Sequence, residues 1–483
     1  MRAIKQLFGE TLLYGISSIL GRAINYLLVP LYTTVFSLEA YGMVTEFYAY
    51  VAFGTVFYTY GLELAYFRFA NQQEEPTLFN TLFSWLLTSS LLFSGLLSIL
   101  APYITKWFNF LGYENYIYYF ATILAIDTIL VLPFAQLRFK KKTFLFISIK
   151  LVQVILTLIL NCLFIYNIIP TWLSALLCPP SIGCVFIANM ISNFTVLLLF
   201  IPSLSHVRIV FFGKKMRGIL QYAFPLFLMH LATTINAMCA RSLLRYLLPV
   251  HKHGSHSISD TVGVFGACYK LAILISLGLQ AFQYAAEPFF FAHTTKKEGG
   301  ILLSQVMHLF IIFACFGLLI LSLNLDLLGS LFLRREAYRT GIEIVPYLGF
   351  SYILLGIYYN LTIWFKHTQK TRYGVGITIA GALVTLILNF YLIPCIGYWG
   401  AVWAAIGSAM TMVLLCFYYG NKHYPMPYQW KKGSLCLVTT LVLIKLIRSI
   451  PHSSFTTGII TSLLLSLLFA LLFWFLIRKW WIK

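Results

Sequence analysis

Apolar residues run along this chain in blocks of about 20 to 28, separated by short polar breaks, and roughly 20 helical residues suffice to cross a hydrocarbon core of about 30 Å. Lipid offers no water to exposed backbone groups, so such blocks must span as helices. The pattern places fourteen spans near residues 9–33, 42–68, 79–102, 114–137, 143–168, 181–202, 218–248, 261–287, 301–325, 342–365, 373–393, 399–420, 434–450 and 455–477. The expectation is an all-α, polytopic membrane protein.

Composition agrees: 60% of the 483 residues are hydrophobic and 10% are charged. The basic start "MRAIKQ" leads into an apolar segment that runs past signal-peptide length and has no small-residue cleavage site, so no leader is expected. Nine cysteines stand singly, mostly inside spans, and read as small apolar core residues. A net charge of +20 invites a nucleic-acid reading, but every loop is too short to carry a basic domain. Topology explains the charge better. With the N-terminus inside, about 22 of the Lys and Arg fall on the inner side and about six on the outer side, which is the positive-inside asymmetry. The richest inner loops are "RFKKK" (138–142) and "HVRIVFFGKKMR" (206–217). Both termini are therefore expected in the cytoplasm. The outer loop "RREAYR" (334–339) runs against the trend.

The chain repeats itself. "LILN" occurs at 158–161 and at 386–389, an offset of 228. "RFKKKT" (138–143) resembles "WFKHTQKT" (364–371), matching Phe139 and Lys140 to Phe365 and Lys366, and Tyr41-Gly42 corresponds to Val262-Gly263. Three matches in order map spans one to six onto spans seven to twelve. Six spans per half return the chain to the same side, so the halves form a parallel repeat of the kind that binds substrate between lobes and alternates access. The expected organisation is an N-lobe (1–205), an inter-lobe loop (206–217), a C-lobe (218–425) and two extra helices (426–483).

Several stretches resemble the Wzx-type polysaccharide flippases of the multidrug/oligosaccharidyl-lipid/polysaccharide exporter superfamily. They are "LVPLYTTVFSLEAYG" (28–42), "LPFAQLRFKKK" (132–142), "YAFPLFLMHLATTINAMCARSLL" (222–244), "GVFGACYKLA" (263–272), "AFQYAAEPFFF" (281–291), "YYNLTIWFKHTQKT" (358–371) and "LILNFYLIPCIGYWGAVWAA" (386–405). The resemblance implies a fourteen-helix, MATE-like fold of two six-helix lobes around a central cavity. It also implies a role in moving undecaprenyl-pyrophosphate-linked oligosaccharides, O-antigen units among them, across the bacterial inner membrane. A polysaccharide polymerase and glycosyltransferases are the partners that go with it. The family often carries an acidic residue just before the arginine of span seven; here that position is Ala240.

An ionisable side chain inside a span costs at least about 2.5 to 3.5 kcal/mol on insertion scales, so it normally faces a partner or a wet cavity. Six bases lie within spans: Arg22, Lys150, Arg241, Arg245, Lys270 and Lys445. Arg22 shares a helical face with Ser18 and Asn25, and Lys150 heads a polar stripe with Gln153, Thr157 and Asn161. Arg241 and Arg245 approach the outer end of span seven, where Arg245 reads as an interfacial anchor and Arg241 serves the outer cavity; Lys445 reads as a second anchor. The candidate pyrophosphate and cavity residues are Arg22, Asn25, Lys150, Gln153, Arg241 and Lys270. Guanidinium and ammonium groups suit a compact multiple anion, because low dielectric strengthens charge-assisted hydrogen bonds. Two carboxylates inside spans, Asp127 and Glu63, read either as salt-bridge partners of these bases or as the groups that couple a proton or sodium ion.

"HKHGSH" (251–256) lacks acidic or cysteine ligands beyond Asp260 and reads as a solvated loop, so no metal is expected. No cofactor is expected, and no GxGxxG, Walker A or HExxH motif occurs. A drug/cation antiporter is the first rival, but it prefers a carboxylate-rich cavity. A membrane glycosyltransferase or polymerase is the second, and it needs a larger loop than any here. No enzyme activity is expected.

Overall fold

The computed structural model describes residues 26–72, 74–107, 114–166, 168, 182–210, 213–249, 257–293, 299–368 and 370–448. These residues form helices and connecting turns, with no strand among them. The first unit contains α1 (Leu28–Val35), α2 (Leu38–Thr59), α3 (Leu62–Phe69), α4 (Glu75–Trp107), α5 (Glu114–Phe139), α6 (Thr143–Ile165) and α7 (Gly183–Leu204). It also takes all but the last residue of α8 (Gly213–Leu247), because by contact the chain divides between Tyr246 and Leu247. The second unit contains α9 (Ile258–His293), α10 (Gly299–Leu323), α11 (Leu325–Phe332), a 3-10 helix (Glu336–Ile344), α12 (Val345–Leu361), α13 (Ile363–His367), α14 (Thr371–Ile396), α15 (Tyr398–His423) and α16 (Trp430–Arg448).

Ten helices among the described residues are long and apolar enough to cross a membrane. Each falls on one of the expected spans three to twelve, within a few residues, so the protein is a multi-pass membrane protein. Most of the expected first span and all of the fourteenth lie outside the described residues. The expected second span is two helices. Tyr60 (φ 32°) and Gly61 (φ 77°) take left-handed backbone between α2 and α3. Glycine is required there twice over: its φ is positive, and a Cβ would stand 3.0 Å from the Ala223 carbonyl oxygen and 3.2 Å from Phe227 N of α8.

The two units are wired alike. In the first, α5 packs on α2, α4 and α7, and α6 packs on α7; in the second, α12 packs on α9, α10 and α15, and α14 packs on α15. These are corresponding helices under the sequence repeat. The "LILN" match extends one residue back, to Thr157 and Thr385, and both copies do the same thing: Asn161 Nδ2 donates to the Thr157 carbonyl and Asn389 Nδ2 to the Thr385 carbonyl, each at 2.7 Å. Both asparagines are buried. In the first unit α5, α6 and α7 close a core of Ile126, Leu130, Phe134, Ile149, Val196 and Phe200. That core walls in the polar groups described next.

The basic segment 334–339, expected on the outer side, is tied down by its own backbone. Arg339 Nε donates to the Leu333 carbonyl (2.9 Å) and its Nη2 to the Arg334 carbonyl (3.2 Å), closing the end of α11. Tyr338 beside it is fully buried.

Candidate functional site

The polar stripe of α6 meets polar side chains of two neighbouring helices. Lys150 stands two turns into α6, and its Nζ donates to Gln153 Oε1 at 3.0 Å. Gln153 Nε2 donates to Asn193 Oδ1 of α7 at 2.6 Å, and Asn193 Nδ2 donates to Asp127 Oδ1 of α5, also at 2.6 Å. Asn193 Nδ2 further donates to Asn189 Oδ1 (2.9 Å), whose own Nδ2 reaches the Tyr48 hydroxyl of α2 (3.3 Å). Asn193 is 3% exposed, so this chain of amides runs through the packed interior. In such surroundings each hydrogen bond is strengthened, and an unmade one is expensive. Two carboxamides thus separate an ammonium from a carboxylate. Among the described residues neither charge is consumed by a direct ion pair, and the ammonium retains donors beyond the one it gives to Gln153. Its Nζ also lies 4.1 Å from the centre of the Phe134 ring, a cation–π contact. Further along α6, Thr157 donates to the Gln153 carbonyl and Asn161 Oδ1 accepts from the Tyr32 hydroxyl of α1 at 2.8 Å.

A second charged group lies where α5 ends. Arg138 pairs with Glu63 of α3 and rests against the rings of Phe67 and Phe146, at 5.1 and 5.8 Å. Phe146 packs edge-on against Phe134, the ring under Lys150. Beside it, Lys140 pairs with Glu75 at 3.2 Å, and Glu75 also accepts from Gln136 (2.8 Å) and Tyr66 (2.7 Å). One contiguous set of contacts therefore joins Glu63, Arg138, Phe146, Phe134, Lys150, Gln153, Asn193 and Asp127.

The third group corrects an expectation. Arg245 is not a free interfacial anchor: its Nη1 lies 3.3 Å from Glu46 Oε2, and Glu46 is 1% exposed. Tyr50 donates to Glu46 Oε1 at 2.8 Å and its hydroxyl lies 3.0 Å from that of Tyr246. One turn earlier Arg241 is buried, with Nη2 donating to the Ala237 carbonyl at 3.2 Å. Part of that guanidinium is thus bonded to its own helix.

Four of the eight candidate residues, Glu63, Asp127, Lys150 and Gln153, therefore come together. Arg241 stands apart from that set, Lys270 is half-buried on α9 of the second unit, and Arg22 and Asn25 lie outside the described residues. Asn189, Asn193 and Tyr48 were missed. The two asparagines are four residues apart on one face of an otherwise apolar helix, which is the same signal that singled out the α6 stripe. Among the described residues no group of three His, Cys, Asp or Glu side chains is placed to hold a metal ion, and the histidines of 251–256 lie outside them.

Neither a family model nor a curated protein matches the chain. Solved structures share its fold. Lipid II flippase MurJ in an inward closed conformation matches with a TM-score of 0.75 over 98% of this chain and 100% of its own, at 13% identity. A MATE in complex with MaD3S matches at 0.58 over 90% and 97%, with 13% identity. An inward-facing multidrug resistance MATE family transporter of the MOP superfamily matches at 0.54 over 94% and 96%, with 14% identity. At these identities the shared property is the fold, all-α and MATE-like as expected.

Proposed function

We propose that this chain is a flippase that carries undecaprenyl-pyrophosphate-linked oligosaccharide units from the inner to the outer leaflet of a bacterial cytoplasmic membrane. The observation that carries the reading is Lys150: an ammonium inside a membrane-spanning unit, held by an amide chain and, among the described residues, not neutralised by a direct carboxylate. A pyrophosphate is the ligand that repays such a group, since it brings several acceptor oxygens into a low-dielectric site. A fold like that of the Lipid II flippase MurJ supports the same substrate class. Movement by alternating access needs no covalent step, so the protein is a transporter and not an enzyme. Asp127, at the other end of the amide chain, is the coupling group for a proton or sodium ion; its occupancy is felt at Lys150 through Asn193 and Gln153. Both termini face the cytoplasm, and a polymerase and glycosyltransferases act before and after the transfer.

Reconstitution into proteoliposomes with a lipid-linked oligosaccharide tests this. Lys150→Gln is expected to lower flipping roughly tenfold or more, the value of one charge-assisted hydrogen bond, while membrane insertion is unchanged. Asp127→Asn is expected to abolish the dependence on an ion gradient. Wild-type flipping in Lys150→Gln and in alanine variants of Arg22 and Lys270 would sink the cationic-cavity reading.

A further inference from the structure

The second unit carries a basic cluster that the proposed transport path does not use. After Glu343 the sequence contains no Asp or Glu at all, yet it continues for 140 residues. Where α13, the start of α14 and the end of α15 meet, Lys370 Nζ lies 3.1 Å from His423 Nδ1, and His423 Nε2 lies 2.9 Å from the Tyr373 hydroxyl. An ammonium only donates, so Nδ1 accepts, Nε2 bears the proton, and the imidazole is neutral. The ring is held in place from two sides. It stacks on Trp364 at 5.8 Å and 23°, and meets Tyr373 at 5.0 Å and 60°. Trp364 is itself buried and donates to Cys416 Sγ at 3.4 Å.

Two bases are thus fixed in contact, with Lys422 next to one and Arg372 on the same turn as the other. Lys370, Arg372 and Lys422 are exposed, and none has an ion pair among the described residues. The first turn of a helix disfavours cations, so nothing in the fold itself compensates the pair on α14. The repeat makes the contrast plain. The corresponding segment of the first unit, 138–142, has its Arg138 paired with Glu63 and its Lys140 with Glu75.

We propose that this end of the second unit docks a phosphate anion borne on a lipid headgroup, gripped by Lys370, His423 and Lys422. A phosphate between Lys370 and His423 supplies acceptors to both and stabilises the protonated imidazole, so binding strengthens as pH falls through the histidine range. The titratable groups facing the ring are Lys370 and Tyr373 and, on its own helix, Lys422. Under the positive-inside topology this end lies at the cytoplasmic leaflet surface, where anionic headgroups are available.

The test uses the full chain in phosphatidylcholine nanodiscs with a minority of phosphatidylglycerol, counting retained lipid by native mass spectrometry. Wild type is expected to retain phosphatidylglycerol selectively, and Lys370→Ala with Lys422→Ala to lose about fivefold per base removed. Arg334→Ala with Arg335→Ala, at the far basic segment, is the control and is expected to change nothing. His423→Gln keeps a ring-sized polar partner but cannot gain charge, so retention by it should stay flat between pH 8 and pH 6 while wild-type retention rises. Inorganic pyrophosphate, followed by phosphorus NMR line broadening, separates the sources. Displacement of phosphatidylglycerol by pyrophosphate marks a site that also accepts a diphosphate headgroup; retention without displacement marks a phospholipid site. Absence of selectivity in wild type, its persistence in the double variant, or a pH rise in His423→Gln each overturns the proposal.

Discussion

Glu46 is the acidic side chain that the fold buries most completely among the described residues, and Arg245 is the base that answers it. Removing one partner of a buried pair leaves a charge in low dielectric and costs about 3 to 5 kcal/mol, whereas replacing both is far cheaper. Arg245→Ala is therefore expected to lower the detergent-solubilised melting temperature clearly, and Glu46→Gln with Arg245→Gln to recover most of the loss. A double variant as unstable as the single one would show that Arg245 acts through packing instead. This pair was not legible in the sequence. Glu46 and Arg245 are 199 residues apart, and the position of Arg245 near a span end made snorkelling the simpler physical account. The stripe of Lys150, Gln153, Thr157 and Asn161 was legible, because helical spacing alone puts those groups on one face. What spacing does not give is the receiving face: that Asn193 and Asp127 lie opposite depends on how α5, α6 and α7 pack. Glu63 shows the same gap in part: a salt bridge to a base was one of its two readings, but that the base is Arg138 follows only from how α3 and α5 pack.

The spans were legible as elements because membrane thickness sets their length, but the break inside the second span was not. Nothing in the hydropathy of 42–68 requires it; the cause is the approach of the α8 backbone to Gly61. That cause is testable. Gly61→Ala sets a Cβ against Ala223 and Phe227 while forcing alanine into left-handed backbone, a conformation that costs about 1 to 2 kcal/mol before any clash. A Cβ at Gly95 of α4 would meet nothing within 4 Å, and alanine is the better helix former by roughly 0.5 to 1 kcal/mol. Thermal unfolding of the two variants should therefore move in opposite directions, down for Gly61→Ala and level or slightly up for Gly95→Ala. A Gly61→Ala protein as stable as wild type would mean that α2 and α3 can join without that close approach.

At the scale of the whole chain, the internal repeat was readable from three short matches, and it reappears as the same helix pairing within each unit. Corresponding segments are not compensated alike, however: the first unit pairs Arg138 and Lys140 with Glu63 and Glu75, while the chain beyond Glu343 contains no acid. Orientation in the membrane then rests on where the bases accumulate. If residues 366–372 face the cytoplasm, α14 runs outward and its far end, where Cys395 is exposed just before the tight turn at Gly397 (φ 65°), faces the opposite side. The other cysteine expected on an outer segment is Cys178, so the measurement belongs in a Cys178→Ser background. A membrane-impermeant maleimide added to intact cells should label that protein, and Cys395→Ser should abolish the signal. Labelling that appears only after the membrane is permeabilised would reverse the orientation of α14, and would move the basic cluster around His423 to the outer leaflet with it.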